Sequence, residues 1–193
     1  ADYEVKGGAY SNWTVIYNGT GGNLTTSPMR VAITDYNGTG FVSELAVYDA
    51  NGDLEFQDTF KGKQAWVEID SNNSIDLLDN TVKLNAVSAA WNYGLISKNS
   101  YSRVKGRYIY GKYTTGASVS PSLNAMVGWA ANTDAVASYT NINHALYFNS
   151  GALIVYENSG SYAANGPATT YAINTTYEFR ITLKPIGAVY EIK

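Results

Sequence analysis

Two acidic side chains, Glu68 and Asp70, stand two residues apart in a segment that alternates between apolar and polar residues. Alternation places both carboxylates on one face of a β-strand, where a pair of acids could serve as nucleophile and acid of a glycosidase. A retaining glycosidase needs two carboxyl groups about 5 Å apart, and positions i and i+2 give a poorer geometry than i and i+4. The position four residues after Glu68 holds Asn72, so no second acid stands at i+4 on this strand. We therefore expect solvent-facing acids and no enzymatic activity.

A second acidic group lies at Asp49, Asn51, Asp53 and Glu55, where side-chain oxygens recur at every second position. Oxygen is the ligand atom that Ca²⁺ prefers, so a calcium site is one interpretation. The other is a hairpin turn, because Asn51-Gly52 is a typical two-residue turn. The twelve-residue EF-hand loop is not matched, and we favour the turn, with Ca²⁺ as the one cofactor that the sequence suggests.

The chain has one histidine, His144, which follows Asn141 and Asn143 at alternating spacing. A single histidine cannot build a histidine-rich metal site, and no Gly-x-Ser-x-Gly motif supplies a serine partner, so we expect a structural role. If the protein binds sugar, aromatic faces would stack on the apolar side of a pyranose while amides bond its hydroxyls. The predicted glycan-binding residues are then Trp129, Tyr139, Asn141, Asn143 and His144.

Six Asn-x-Ser/Thr sequons are N-glycosylation candidates, and four of them fall within the first 37 residues. In a source that glycosylates, they predict an exposed, glycan-coated N-terminal region. The candidate asparagines are Asn12, Asn18, Asn23, Asn37, Asn72 and Asn174.

Alternating segments must position these residues, and they predict β-strands along the whole chain. Residues 177–183 form the clearest one, and similar runs cover residues 13–17, 29–34, 41–48, 54–60, 82–90, 103–113, 125–130, 144–148 and 152–156. Dipeptides that accept positive φ separate these runs: Asn18-Gly19, Gly21-Gly22, Asn37-Gly38, Asn51-Gly52 and Asn165-Gly166. Ten or more short strands divided by tight turns predict an all-β, antiparallel two-sheet β-sandwich, formed as a single domain by residues 1–193.

The composition limits the possible partners of the chain. Charged residues make up 15% of its 193 residues, the net charge is −3, and there are 17 tyrosines and no cysteine. The 13 lysines and arginines are scattered, so the sequence predicts no basic face for nucleic acid. No apolar run approaches the roughly 18 residues of a transmembrane helix. Thiol catalysis and disulfide scaffolds are excluded because cysteine is absent.

The N-terminal residues 1–8 have the pattern of a hinged strand. Ala1, Tyr3 and Val5 alternate with charged residues, and Gly7 and Gly8 follow as a flexible hinge. Such a strand, combined with a vacant sheet edge, is what strand exchange between neighbouring subunits requires. The alternative is that the strand folds back onto its own sheet, since termini generally pack locally.

A longer pattern runs from Leu54 onward. Its pieces are Phe56-Gln57-Asp58-Thr59-Phe60, Trp66, Thr81-Val82-Lys83-Leu84, residues 93–98, Val127-Gly128-Trp129, and residues 139–145, 153–158, 177–181 and 189–190. In this order they resemble the concanavalin A-like lectin and glucanase class, especially its laminin-G-like modules, over residues 54–193. The resemblance implies a two-sheet jelly roll whose concave face or loop rim binds glycans.

Two departures from this class limit what the resemblance implies. Laminarinase-like members carry a Glu-x-Asp-x-Glu strand, whereas Asp70 is followed here by Ser71-Asn72. Such modules also continue beyond the strand near Val189, whereas this chain stops at Lys193, so we expect the last sheet to lack a strand.

These observations predict a non-catalytic extracellular or cell-surface structural protein. The leading hypothesis is a subunit of a surface layer, filament or matrix that assembles with copies of itself through β-strand addition. The alternative is a carbohydrate-binding, lectin-like module whose partner is a polysaccharide. Neither hypothesis involves nucleic acid or a transmembrane segment.

Overall fold

The computed structural model describes residues 12–20, 28–70, 75–78, 80–86, 91, 93–117, 124–131, 142–158 and 162–193 of the chain. Within these ranges all regular structure is β-strand, and neighbouring strands are antiparallel. The strands are β1 (Thr14–Asn18), β2 (Met29–Tyr48), β3 (Leu54–Asp58), β4 (Trp66–Asp70), β5 (Ile75–Leu78), β6 (Thr81–Ala86), β7 (Tyr93–Ser97), β8 (Tyr108–Thr115), β9 (Asn124–Ala131), β10 (Ile142–Asn149), β11 (Ala152–Asn158), β12 (Tyr162–Thr170), β13 (Thr176–Leu183) and β14 (Ala188–Ile192). The predicted all-β, antiparallel class is confirmed.

The longest strand, β2, connects all parts of the sheet. Its first part pairs with β7 and β9, and its second part pairs with β8 on one side and with β6 and β3 on the other. A register shift between Asp35 and Asn37 and a φ of 87° at Gly38 mark the change of neighbours. Glycine accepts this left-handed conformation without steric cost, and a bulge of this kind bends and twists a strand. The prediction of a turn at Asn37-Gly38 is therefore wrong.

The sheet is curled around its own inner face. Its main strand order is β1-β14-β13-β8-β2-β9-β10-β11-β12, and the two end strands, β1 and β12, lie close to each other. The β8 half consists of the strands on the β8 side of β2, together with three further strands: β1, β3, β5, β6, β8, β13 and β14. The β9 half consists of β4, β7 and β9–β12, and β2 belongs to both halves. Because β2 joins both halves in one hydrogen-bonded network, the division into two separate sheets stays a prediction.

The inner faces of the two halves pack against each other to form the main core. Tyr113 of β8 stacks on Phe148 of β10 with ring centroids 3.9 Å apart. Trp129 of β9 donates a hydrogen bond from its indole nitrogen to the carbonyl oxygen of Ile181 at 3.2 Å. These large side chains are at most 1% exposed, and each contributes about 1.5–3 kcal/mol through burial.

The β9 half is apolar on its outer face as well. Strand β9 is buried from Asn124 to Ala130, although inner and outer positions alternate along it. The outward positions belong to a second buried cluster, which we call the outer apolar cluster: Ala32, Ile96, Met126, Ala130, Ile142 and Ala145. Partly buried side chains from β4 and β10 pack against it, among them Val67, Ile69 and Tyr147. A run buried on both faces lacks the alternation from which its orientation could be predicted.

Two turns differ from the sequence-based expectation. Ser150 and Gly151 have φ values of 49° and 91° and join β10 to β11, as in a type I′ hairpin turn. The predicted turn at Asn165-Gly166 instead lies within β12, so that prediction is wrong. Serine and asparagine both hydrogen-bond locally in turns, which is why composition alone does not choose between these two sites.

Candidate functional site

The outward side of the β8 half carries a small aromatic pocket. Tyr108 and Tyr110 are outward positions of β8, whose inward positions are buried. Antiparallel pairing sets Tyr48 of β2 opposite Tyr108, and Arg180 of β13 opposite Tyr110. Trp13, just before β1, completes the lining. We call this site, formed by these five residues, the outer aromatic pocket.

Ring contacts fix the shape of the outer aromatic pocket. Tyr48 and Tyr108 stack with centroids 4.8 Å apart, and Trp13 meets Tyr110 edge-on at 6.2 Å. The guanidinium carbon of Arg180 lies 4.0 Å from the centroid of the Trp13 ring. The pocket has a volume of about 180 Å³, smaller than the roughly 300 Å³ or more that drug-sized ligands occupy. It therefore suits one ring-sized group.

Charges around the pocket are balanced in pairs. Arg180 donates to a carboxylate oxygen of Glu191 at 2.9 Å, and the Lys112 ammonium lies 3.0 Å from a carboxylate oxygen of Glu44. Burial raises the pKa of Tyr110, so its phenol stays protonated at neutral pH. Protonated phenol groups and paired charges favour an uncharged polar ligand over an ionic one.

A second group of aromatic side chains lies on the outer face of the β9 half. The ring centroids of Tyr36 and Trp91 are 5.3 Å apart, those of Trp91 and Tyr147 5.9 Å, and those of Tyr147 and Tyr156 5.8 Å. The hydroxyl of Tyr147 donates to the Asn124 side chain at 2.7 Å. We call Tyr36, Trp91, Tyr147 and Tyr156 the outer aromatic row. Their polar tips and apolar rings make this face amphipathic.

A buried polar cluster links β10, β11 and β14 inside the curled sheet. His144, Glu157 and Tyr190 are all 0% exposed. The Tyr190 hydroxyl donates to Oε1 of Glu157 at 3.1 Å, and it lies 3.2 Å from Nδ1 of His144. Nδ1 of His144 is also 3.6 Å from Oε1 of Glu157, while its Nε2 has no hydrogen-bond partner in the described part of the molecule. Buried ionisable groups of this kind are costly unless they are paired, and the contacts at Nδ1 of His144 and Oε1 of Glu157 supply that pairing within the cluster.

The backbone closes over this cluster from the side of β1. Gly19 packs so tightly on the Glu157 carboxylate that an added Cβ would overlap it. The Lys184 ammonium donates to the carbonyl oxygen of Gly19 at 2.7 Å, and Arg103 donates to the carbonyl oxygens of Lys184 and Gly187 at 2.6 and 3.1 Å. Because all three side chains are fully buried, we assign the cluster a structural role.

Burial of tyrosine predicts a loss of stability at alkaline pH. Burial raises the pKa of Tyr101 to about 12 and the pKa values of Tyr113 and Tyr190 well above their usual range. The folded state thus retains protons that the unfolded chain loses near pH 10, so this stabilisation is complete below about pH 10 and declines above it. We expect the melting temperature to fall steeply above about pH 10, measured by calorimetry alongside tyrosinate absorbance.

Tyr113→Phe provides the control for this pH dependence. The Tyr113 hydroxyl has no hydrogen-bond partner among the described residues, so the substitution removes a titrating group without removing a bond. We expect a shallower alkaline decline in this variant. Ionisation of every tyrosine near pH 10 in the folded protein would contradict the prediction.

The predicted glycan-binding residues do not form an open site where they are described. Trp129 and His144 are 0% exposed, and Asn143 is 8% exposed. Trp129 packs against Tyr101 with centroids 5.9 Å apart, which leaves its ring no face for a sugar. Tyr139 lies outside the described residues, as does Asn141. The glycan hypothesis therefore gains no support from these positions.

The predicted calcium group forms a turn. One carboxylate oxygen of Asp49 accepts hydrogen bonds from the backbone N–H groups of Asn51 and Asp53, each at 2.8 Å. These bonds lower the pKa of Asp49. Glu55 points elsewhere and makes a two-bond ion pair with Arg107, at 2.7 and 2.9 Å. Over the described residues, no group of three or more acidic, histidine or cysteine side chains could hold a metal ion.

The two acids of β4 have separate structural partners. Glu68 forms an ion pair with Lys63. Asp70 accepts a hydrogen bond from the backbone N–H of Ile75 at 2.9 Å, which anchors the start of β5. Each of the two acids therefore has a structural interaction of its own.

The candidate sequons fall in different environments. Asn12, Asn18 and Asn174 are exposed, whereas Asn37 lies within β2 and accepts a hydrogen bond from the Asn124 amide at 2.8 Å. Asn23 and Asn72 lie outside the described residues. The residues predicted for subunit strand exchange, namely Ala1, Tyr3, Val5, Gly7 and Gly8, also lie outside them.

Sequence reasoning missed the outer aromatic pocket. The signal was available in part, because Tyr108 and Tyr110 alternate with inward residues in a predicted strand. These tyrosines lie beside Tyr48 and Arg180 because of the register between neighbouring strands. Alternation within one strand does not specify that register.

Comparison of the chain with protein-family models, with curated proteins and with solved structures gives no match. Within the described ranges, no helix has the length and apolar character needed to cross a membrane.

Proposed function

We propose that the protein is a non-catalytic extracellular structural protein that assembles with copies of itself into a surface layer, filament or matrix. The observation that carries the proposal is the presence of aromatic side chains on the outer faces of both halves, in the outer aromatic pocket and the outer aromatic row. Tyrosine and tryptophan give large, rigid contact areas with polar tips, and they are enriched in protein interfaces. The low net charge of −3 also weakens repulsion between copies.

β-Strand addition between subunits is the proposed mode of assembly. Among the described residues, β1, β3, β4, β5 and β12 each pair with a strand on one side only. The free backbone groups of an edge strand can receive a strand from another chain. Residues 1–8 supply a strand of suitable alternation.

Strand β4 is the edge that suits this donor strand best. Its outward residues, Val67 and Ile69, pack against the outer apolar cluster. A donated strand would place Ala1, Tyr3 and Val5 in line with them and extend that cluster over the next strand. The charged residues of the donor would face the side of Glu68 and its Lys63 partner.

Deleting residues 1–8 is expected to abolish polymers while the core stays folded. The deleted strand carries the proposed backbone contacts, whereas the described strands begin with β1 at Thr14, and the main core of the described residues is formed by side chains from Ile16 onward. Sedimentation velocity would measure assembly, and circular dichroism would verify the β-sheet content.

Two single substitutions in the full chain supply the matched controls. Val5→Asp places a charge on the apolar face of the donor strand and should prevent assembly, whereas Lys6→Gln alters its polar face and should permit assembly. Large assemblies that persist after the deletion would reject strand donation by residues 1–8.

The outer aromatic pocket favours a second candidate function. Half-buried aromatic rings beside hydrogen-bonding groups are suited to sugar binding, so a carbohydrate-binding module of the concanavalin A-like jelly-roll class is the alternative. Retention of a monomeric protein on an immobilised polysaccharide would favour it over self-assembly.

A further inference from the structure

Two tyrosine rings face each other across the β2–β8 pair. Tyr48 and Tyr108 are register partners, and their rings stack with centroids 4.8 Å apart and planes inclined by 11°. Both residues are half-buried, so each is held in place by its neighbours while part of it stays exposed. Such a stack brings ring carbons of the two phenols close to van der Waals contact without any movement of the backbone.

We propose that Tyr48 and Tyr108 form a site of oxidative cross-linking, at which a haem peroxidase and hydrogen peroxide convert the pair to dityrosine. Each phenol loses one electron and one proton to give a phenoxyl radical. A carbon–carbon bond then forms between two ring carbons that are ortho to the hydroxyl groups. The hydrogen on each of these carbons moves through solvent to the phenolic oxygen of its ring, and both rings become aromatic again. The two electrons and two protons reduce one molecule of peroxide to two of water.

Other tyrosine pairs among the described residues have a different geometry. Tyr147 and Tyr156 meet edge-on, at an angle of 86° and a centroid distance of 5.8 Å, so the faces of their rings do not overlap. Tyr17 contacts Tyr190 at 6.1 Å and 39°, and Tyr190 is 0% exposed. Two radicals couple fastest where the carbons that share the unpaired electrons already lie against each other. The geometry therefore favours the Tyr48–Tyr108 pair.

A cross-link of this kind suits a structural protein of this composition. The chain has 17 tyrosines and no cysteine, so a disulfide cannot tie its strands together. The new bond would join β2 to β8 between positions 48 and 108, and a tie across so long a loop restricts the unfolded chain. It adds no group to the outer aromatic pocket, which both rings line. The inference does not depend on self-assembly, because both tyrosines belong to one chain.

Peroxidase treatment of the full chain tests the proposal. After denaturation, intact mass spectrometry should show single chains that have lost two hydrogen atoms, and peptide mapping should show peptides joined at Tyr48 and Tyr108. We expect this product to be about ten times more abundant than one joined at Tyr147 and Tyr156. Tyr108→Phe keeps the ring but removes the phenol, so it should abolish the product. Tyr156→Phe is the matched control and should leave the product unchanged.

The dose of oxidant is set in a parallel sample, in which free N-acetyltyrosine amide must be coupled. Unlinked Tyr48 and Tyr108 at that dose would overturn the proposal, as would equal yields from the stacked and the edge-on pairs. Links that join only different chains would overturn it as well. Assembly is measured separately by sedimentation velocity, so this proposal and the proposed function fail independently.

Discussion

Gly128→Ala is expected to lower the free energy of unfolding by about 3 kcal/mol. Gly128 lies in β9 opposite Ala145 of β10 and Ala32 of β2. An added Cβ would overlap the carbonyl oxygen of His144 and come within 2.8 Å of the Cα of Ala145. Both are backbone atoms of the paired strand, so relief requires β9 and β10 to separate, at a cost in ladder hydrogen bonds.

Gly62→Ala is the matched control for this substitution. The three heavy atoms nearest to its added Cβ all belong to the amide end of the Gln64 side chain, which can rotate away. We expect a change within about 0.5 kcal/mol for a surface position of this kind. Urea denaturation of both variants, followed by tryptophan fluorescence, would measure the difference. Equal stabilities would show that the β9–β10 pair is not closely packed at Gly128.

The result would bear on the outer face as well as on stability. Ala32, Gly128 and Ala145 are neighbours across three strands, and Ala32 and Ala145 belong to the outer apolar cluster. Because these side chains are small, the rings of Trp91, Tyr147 and Tyr156 can pack close to the backbone of the sheet on its outer face. Loss of Gly128 should therefore disturb the aromatic row that we propose as a contact surface.

Alternation predicted the strands that have one buried face. Strand β13 alternates without exception, and the predicted 177–183 run matches it within one residue. The continuity of β2 was not predictable in this way, because Asn37-Gly38 is also typical of a hairpin turn. The dipeptide is a bulge because β2 pairs with β9 up to Asn37 and with β6 from Gly38 onward, and the local sequence does not specify this pairing.

The candidate sites show the same limit. Trp129 and His144 carry polar atoms that suit a binding site, and nothing local signals that the opposite half of the sheet covers them. The Tyr48–Tyr108 stack requires two residues sixty positions apart in the chain to be cross-strand partners. The sequence thus shows which side chains could bind a ligand. Whether a side chain is exposed, and which residue it contacts, depends on how the two halves of the curled sheet pack and on the register of their strands.

Glu157→Ala is expected to lower the free energy of unfolding by about 3–5 kcal/mol, the cost of breaking a buried polar pair. The substitution leaves the buried Tyr190 hydroxyl and Nδ1 of His144 without their carboxylate partner. It also opens a cavity beneath Gly19, whose backbone packs on the carboxylate. Glu157→Gln should cost less, because the amide keeps the shape of the side chain and an acceptor for Tyr190.

Glu178→Ala serves as the comparison, because Glu178 lies on β13 and faces Lys193 at 3.7 Å near the surface. Loss of a surface ion pair should cost about 0–1 kcal/mol. Adding Tyr190→Phe to Glu157→Ala should cost less than the sum of the single changes, since the hydroxyl has already lost its carboxylate acceptor. Additive losses, or a Glu157→Ala loss as small as that of Glu178→Ala, would show that the cluster is not a coupled unit.

The expected coupling follows from position, because Glu157 belongs to the β9 half and Tyr190 to the β8 half. Their hydrogen bond therefore joins the two halves whose outer faces carry the aromatic surfaces.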